Sequence, residues 1–155
     1  MSHRLHAIAL ETNHEDADLL RRCLAALGTY RINFSHLPRA NRAIERLRRS
    51  DADLLFIDYD LPTVTGLELI DAARTAGEQR PIIATAAEDC GHLAADLIRA
   101  GADGYLAKRD CHPGFVGPLL DSSLQLARQR TTQLRLRREA AREMMRSRGR
   151  SLTAV

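Results

Sequence analysis

Short apolar runs alternate along the chain with longer segments in which apolar residues recur at helical spacing. The apolar runs predict five strands, at residues 5–10, 30–36, 54–58, 81–85 and 105–107. The periodic segments predict five helices, at residues 16–27, 38–49, 65–76, 88–100 and 118–146. Such alternation is typical of a parallel sheet covered by helices on both faces. We therefore predict an α/β fold with a five-stranded parallel sheet between two helical layers.

The last predicted helix is longer than one edge of a small sheet requires. It spans residues 118–146, a length on the order of 40 Å. Heptad-spaced positions form a largely apolar stripe along this helix. The stripe consists of Leu120, Leu124, Ala127, Thr131, Leu134, Arg138, Ala141 and Met145. The interruptions are Thr131 and Arg138. We predict one domain at residues 1–120 and an extended C-terminal helix and tail at residues 121–155, pairing as a homodimer, with residues 147–155 frayed.

The composition is that of a folded protein with a substantial core. Of 155 residues, 45% are hydrophobic and 28% are charged, which excludes a wholly disordered chain. No apolar run approaches the roughly 20 residues of a membrane span, and the N-terminus lacks the apolar segment of a secretion signal. We therefore expect a cytoplasmic protein. Cys23, Cys90 and Cys111 form no Cys-x-x-Cys pair, so we predict free thiols rather than disulfides or a zinc site.

The net charge of +3 hides an uneven distribution. Residues 1–120 carry 14 basic and 17 acidic side chains, whereas residues 121–155 carry 9 basic and 3 acidic ones. Three interpretations of the basic tail stay open. The first is a homodimer helix, the second is a nucleic-acid-binding helix, and the third is either a truncated linker or a helix that docks on a membrane surface or a protein partner. We favour the homodimer. We do not expect nucleic-acid binding, because no helix-turn-helix or other base-reading module accompanies the tail.

The residues at the carboxyl ends of the predicted strands are candidates for chemistry, because ligands bind there in open parallel sheets. They are Glu11, Thr12 and Asn13 after the first strand, Asp58 and Asp60 after the third, Ala86 and Ala87 after the fourth, and Lys108 after the fifth. Carboxylates that face a lysine can hold a divalent cation with an anionic group beside it. The turn after the first strand has no glycine-rich phosphate loop, so we do not expect a nucleotide-dependent enzyme.

Four segments resemble the receiver domain of two-component response regulators. They are ALETN (residues 9–13), LLFIDYDLPTVTGLEL (54–69), PIIATAA (81–87) and AGADGYLAK (100–108). The second is the most specific, because a proline follows Asp58 by four residues and a glycine follows it by eight. The resemblance covers residues 5 to about 128 and implies a flavodoxin-like fold with five strands and five helices.

This resemblance implies roles for individual residues. Asp58 would be the phosphoacceptor that takes a phosphoryl group from a histidine kinase or phosphotransfer protein, and Lys108 would neutralise the transferred charge. Mg²⁺ would be the cofactor, held by Glu11, Asp58 and the backbone carbonyl of Asp60. Tyr105 stands at the position of an aromatic residue that changes rotamer on phosphorylation.

The chain departs from the family pattern at three positions. Thr12 replaces the second member of an acidic pair, so we expect weak Mg²⁺ binding. Ala86 stands where the family has a serine or threonine, and Thr85, one residue earlier, is expected to point to the other face of the strand unless the strand end bulges. Arg109 replaces the proline that follows the lysine, so we expect no cis peptide bond there and a different path for the loop.

We interpret the chain as a single-domain response regulator that is not an enzyme and that signals to a downstream protein target. The contact surface would be the face formed by the fourth helix, the fifth strand and the fifth helix. The alternative is a pseudo-receiver that works without phosphorylation, as a docking or dimerisation module. Mg²⁺ affinity separates the two hypotheses, because signalling through phosphorylation requires the cation and docking without phosphorylation does not.

Overall fold

Five parallel strands form one sheet in the computed structural model, which describes residues 2–87 and 91–153. The strands are β1 (His3–Leu10), β2 (Tyr30–Leu37), β3 (Leu54–Asp58), β4 (Ile82–Ala86) and β5 (Gly104–Ala107). Their order is β2-β1-β3-β4-β5, and every neighbouring pair is parallel. The predicted α/β fold is thereby confirmed. The chain changes direction across the sheet between β1 and β3, and ligand crevices open at the carboxyl ends of strands that flank such a point.

Helices cover both faces of this sheet. They are α1 (His14–Ala25), α2 (Ala43–Arg49), α3 (Gly66–Thr75), α4 (Gly91–Ala100) and α5 (Pro113–Thr153). Phe56 points into a core closed by α1 and α5, and Ile57 points into a second core closed by α2, α3 and α4. Because both faces of β3 are buried, its sequence is a continuous apolar run and not an alternating one.

The second helix is shorter than its pattern predicts. The pattern indicates a helix over residues 38–49, but α2 begins only at Ala43. Arg42 adopts a left-handed backbone conformation with a φ of 54°, which separates the helix from the chain before it. The predicted start of the fourth helix at residue 88 lies outside the described residues, as does Cys90.

The fifth helix is longer than predicted at both ends. It begins at Pro113 and not at residue 118, because a proline in the first turn loses no hydrogen bond. It continues to Thr153, so the prediction that the chain frays is wrong for residues 147–153. Residues 154 and 155 lie outside the described part of the chain.

Only the first half of α5 serves the core. Its buried residues are Val116, Leu120, Ser123, Leu124 and Ala127. From residue 131 to residue 153 every side chain except the half-buried Leu134 is exposed, and this projecting segment of α5 is about 35 Å long. The helix runs unbroken through residue 120, where the boundary between domain and tail stays a prediction. None of the helices in the described part of the chain combines the length and hydropathy that crossing a bilayer requires.

Candidate functional site

Three carboxylates meet one ammonium group at the carboxyl edge of the sheet. Lys108 Nζ lies 3.0 Å from Glu11 Oε2 and 3.2 Å from Asp58 Oδ1. It also lies 2.8 Å from Asp16 Oδ2. Glu11 follows β1, Asp58 ends β3 and Lys108 follows β5, so residues far apart in sequence converge at the switch point of the sheet. We call these four residues the lysine cluster.

Asp16 is the member of the lysine cluster that was not among the candidates at the carboxyl ends of the strands. It lies in the first turn of α1, whose N-cap is Asn13. Asn13 Oδ1 accepts hydrogen bonds from the N–H groups of Glu15 at 2.9 Å and Asp16 at 3.2 Å. Glu11 Oε1 in turn accepts the Asn13 N–H at 2.9 Å. An asparagine followed by acidic residues is a recognisable helix start, but the sequence does not show that this turn faces Lys108.

The lysine cluster carries more negative than positive charge. Asp58 is 1% exposed. This burial, with a further contribution from the charge of Glu11, raises the pKa of Asp58 to about 6, although Lys108 opposes the shift. Burial by itself would lower the pKa of Lys108, but hydrogen bonds to Asp16 and Glu11 raise it. Lys108 is therefore cationic at neutral pH. Any further positive charge beside Asp58 would stabilise its ionised carboxylate.

The oxygen donors at this edge fit a divalent cation, although they are few. Mg²⁺ prefers oxygen ligands, and the excess of carboxylates over ammonium groups leaves negative charge that a cation would neutralise. Thr12 is half-buried and adds no charge, while the exposed Asp60 contributes to the raised pKa of Asp58. Across residues 2–87 and 91–153, no group of three or more His, Cys, Asp or Glu side chains is placed to hold a metal ion. Glu11 and Asp58 would therefore need help from main-chain and water oxygens.

Thr85 and Ala86 occupy opposite faces at the end of β4, as strand alternation predicts. Thr85 lies beside Asp58 in the register of β3 and β4, and its hydroxyl donates a long hydrogen bond of 3.4 Å to Asp58 Oδ1. The buried Ala86 lies beside Ala107 in β5. Tyr105 is half-buried and packs against the core closed by α2, α3 and α4. Thr85 therefore contacts the Asp58 carboxylate on the face of the sheet opposite to Ala86. The alternation of side chains along β4 separates Thr85 from Ala86, but only the register of β3 and β4 places Thr85 beside Asp58.

The loop after β3 packs closely against the end of that strand. A Cβ atom at Gly66 would overlap the Asp58 carbonyl oxygen and lie 2.7 Å from Tyr59 Cα, so only glycine fits eight residues after Asp58. The Gly66 N–H donates to the Tyr59 carbonyl at 2.9 Å, which closes the loop. After β5, Lys108–Asp110 form a short 3₁₀ turn that contains Arg109 and leads into α5.

A parallel sheet with a lysine and buried carboxylates at its switch point defines an α/β protein of flavodoxin-like topology with a site for charged groups. The chain belongs to the response regulator receiver domain family, whose model matches residues 9–112. Receiver domains are signalling modules, and the resemblance found in the sequence is confirmed.

Curated relatives are longer than this chain. The two-component response regulator PhoP of Pseudomonas aeruginosa is 35% identical over 95 residues, which cover 61% of this chain and 42% of PhoP. The response regulator MprA of Mycobacterium leprae is 29% identical over 104 residues, which cover 67% of this chain and 44% of MprA. The chain therefore spans less than half the length of these relatives.

Solved structures share the fold. The signal receiver domain of a LuxO repressor protein from Vibrio parahaemolyticus has a TM-score of 0.70 and 22% identity, covering 83% of this chain and 96% of that one. A CheY-like receiver domain protein from Methanospirillum hungatei has a TM-score of 0.65 and 18% identity, covering 84% of this chain and 99% of that one. At such identities the likeness concerns the fold alone.

Proposed function

We propose that Asp58 accepts a phosphoryl group from the phosphohistidine of a histidine kinase or phosphotransfer protein, and that the chain then signals through protein contacts. The observation that carries this proposal is the 3.2 Å approach of Lys108 Nζ to Asp58 Oδ1 at the switch point of the sheet. The loose transition state of phosphoryl transfer needs neutralisation of its spreading negative charge more than covalent help. A cation held beside the acceptor oxygen supplies that neutralisation.

The transfer uses the ionised carboxylate of Asp58. One carboxylate oxygen forms the new P–O bond while the P–N bond of the phosphohistidine breaks, and the leaving imidazole keeps the electron pair and takes up a proton. Because the pKa of Asp58 is raised to about 6, mainly by burial, the nucleophile is largely ionised above neutral pH. Mg²⁺ held by Glu11, Asp58 and the main-chain carbonyl of Asp60 would supply further neutralisation of charge on the phosphoryl oxygens.

Phosphorylation changes the contacts of Lys108 in this proposal. The ammonium group is shared among Glu11, Asp16 and Asp58, and a phosphoryl group adds nearly two negative charges that compete for it. Asp58 is 1% exposed, so the side chains over it move before a donor can reach it. Ala86 offers no hydroxyl to the phosphoryl group. Lys108, which contacts Asp16 in α1, and Thr85, which lies in β4, are therefore the side chains whose contacts change with the new charge.

A mass measurement tests the proposal. The full chain is incubated with Mg²⁺ and phosphoramidate, and we expect an acid-labile adduct of about 80 Da. Asp58→Asn abolishes this adduct, while Asp71→Asn, which removes an exposed carboxylate on α3, retains it. An adduct that persists in Asp58→Asn contradicts the assignment of the acceptor. Absence of any adduct with phosphoramidate and with phosphorylated donors supports the alternative, a docking module that works without phosphorylation.

A further inference from the structure

Five arginines form one stripe along the projecting segment of α5. The residues are Arg135, Arg138, Arg142, Arg146 and Arg150, and we call them the arginine face. Their spacing of three or four residues places each about one helical turn after the last. All five are exposed. From the first to the last, the stripe is about 22 Å long at the helical rise.

The positive charge of this segment has little compensation within the chain. Residues 131–153 contain seven arginines and two glutamates, Glu139 and Glu143. Among the described residues, one ion pair involves the segment, between Arg135 and Glu139 at 3.9 Å. An exposed pair at that distance contributes little. The segment therefore presents a net charge of about +5 to its surroundings.

The base of the segment is held firmly by one more arginine. Arg130 NH2 donates to Asp103 Oδ2 at 3.0 Å and to the Gln79 carbonyl at 2.8 Å. Asp103 is buried and also accepts a hydrogen bond from Arg74 at 2.9 Å. These bonds fix α5 to the amino-terminal side of β4 and β5. The arginine face thus stands on a helix whose first exposed turn is anchored, which lowers the ordering cost of binding.

We propose that the arginine face binds the sugar-phosphate backbone of a nucleic acid. A duplex carries about one negative charge per 1.7 Å of its axis, so it offers a line of anions as long as the stripe. Guanidinium groups pair with phosphates in bidentate fashion, and every cation of the segment is an arginine. This proposal reverses the expectation from the sequence, which excluded nucleic acid for want of a base-reading module. Contacts to the backbone need no such module, because they carry no sequence information.

Other occupants fit the segment less well. Residues 121–155 contain no aromatic side chain that would anchor a helix in a membrane surface. Arg138 interrupts the stripe of Leu134, Ala141 and Met145, which is the apolar side that a membrane or a second copy would cover. Pairing two copies also places two segments of like charge together. The predicted homodimer stays a separate prediction, to be measured by sedimentation.

Salt-dependent binding tests the proposal. Full-length protein is titrated onto a fluorescent duplex of about 20 base pairs and arbitrary sequence, and affinity is followed by anisotropy. Five phosphate contacts predict a slope near −4.5 for log K against log salt, or about a 500-fold loss of affinity between roughly 50 and 200 mM salt. The triple variant Arg142→Gln, Arg146→Gln, Arg150→Gln should reduce the slope to about −1.8.

A matched control removes the same charge elsewhere. The triple variant Arg46→Gln, Arg48→Gln, Arg49→Gln changes three exposed arginines on α2 and should leave the slope unchanged. Circular dichroism checks that α5 stays helical in both variants. The proposal is overturned by absence of duplex binding at low salt, or by equal losses in the two triple variants. Tighter binding to vesicles of phosphatidylglycerol than to the duplex overturns it as well.

Discussion

Asp58→Asn should stabilise the folded protein, and the gain should grow with pH. Asp58 is 1% exposed, and its carboxylate lies among Glu11, Lys108 and the hydroxyl of Thr85. Asparagine has nearly the same shape, keeps an oxygen that accepts hydrogen bonds from Lys108 and Thr85, and cannot ionise. The substitution therefore removes the cost of a buried charge and little else.

The raised pKa of Asp58 gives the size and the sign of this effect. Burial, together with the charge of Glu11, raises the pKa from 3.8 to about 6 on folding. Each pKa unit corresponds to about 1.4 kcal/mol, so ionised Asp58 costs the fold about 3 kcal/mol. Below the unfolded pKa both states are protonated and the cost is absent. It grows as the pH rises from the unfolded to the folded pKa and is complete above the folded pKa.

Urea unfolding in EDTA, at pH values of about 4, 6 and 8, measures the effect without bound metal. Asp58→Asn should be more stable than the wild type by about 0.6 kcal/mol at the lowest pH, by about 2.6 kcal/mol at the middle one and by about 3 kcal/mol at the highest. At the highest pH this corresponds to roughly 6–12 °C in Tm for a chain of this length. Asp71→Asn, at an exposed position, should show no such trend. A variant that is less stable than the wild type at high pH, or equally stabilised at every pH, refutes the account of a penalised buried charge.

Two further substitutions test the supports of the site and of α5. Gly66→Ala should cost about 2 kcal/mol or more in urea unfolding, because its Cβ would overlap the Asp58 carbonyl oxygen, whereas Gly28→Ala has open space and should cost far less. Equal losses at the two glycines would contradict the steric argument. Arg130→Gln should cost about 2 kcal/mol, because buried Asp103 loses one of its charged partners. Arg99→Gln, which breaks an exposed pair, should change stability by less than about 0.5 kcal/mol, and a comparable loss there would count against the buried network.

Much of the fold follows from local pattern. Strands such as Leu54–Asp58 are apolar on both faces because helices cover both sides of the sheet, and that property is visible along the chain. Helix limits follow less closely. The left-handed conformation of Arg42 makes α2 begin later than residue 38, where the pattern predicts it. The fifth helix runs from Pro113 to Thr153 and so exceeds the predicted range of 118–146 at both ends. Turn conformation and helix ends depend on small free-energy differences that periodicity does not resolve.

The sequence by itself determined the alternation of strands and helices, and with it the convergence of Glu11, Asp58 and Lys108, because parallel strands place their carboxyl ends at one edge. Only the tertiary structure brought Asp16 to Lys108, since the direction of α1 over the sheet depends on packing. It also set the β3–β4 register that places Thr85 against Asp58. The raised pKa of Asp58 comes mainly from burial. The residues that bury it are distant in sequence, so no local pattern shows the effect.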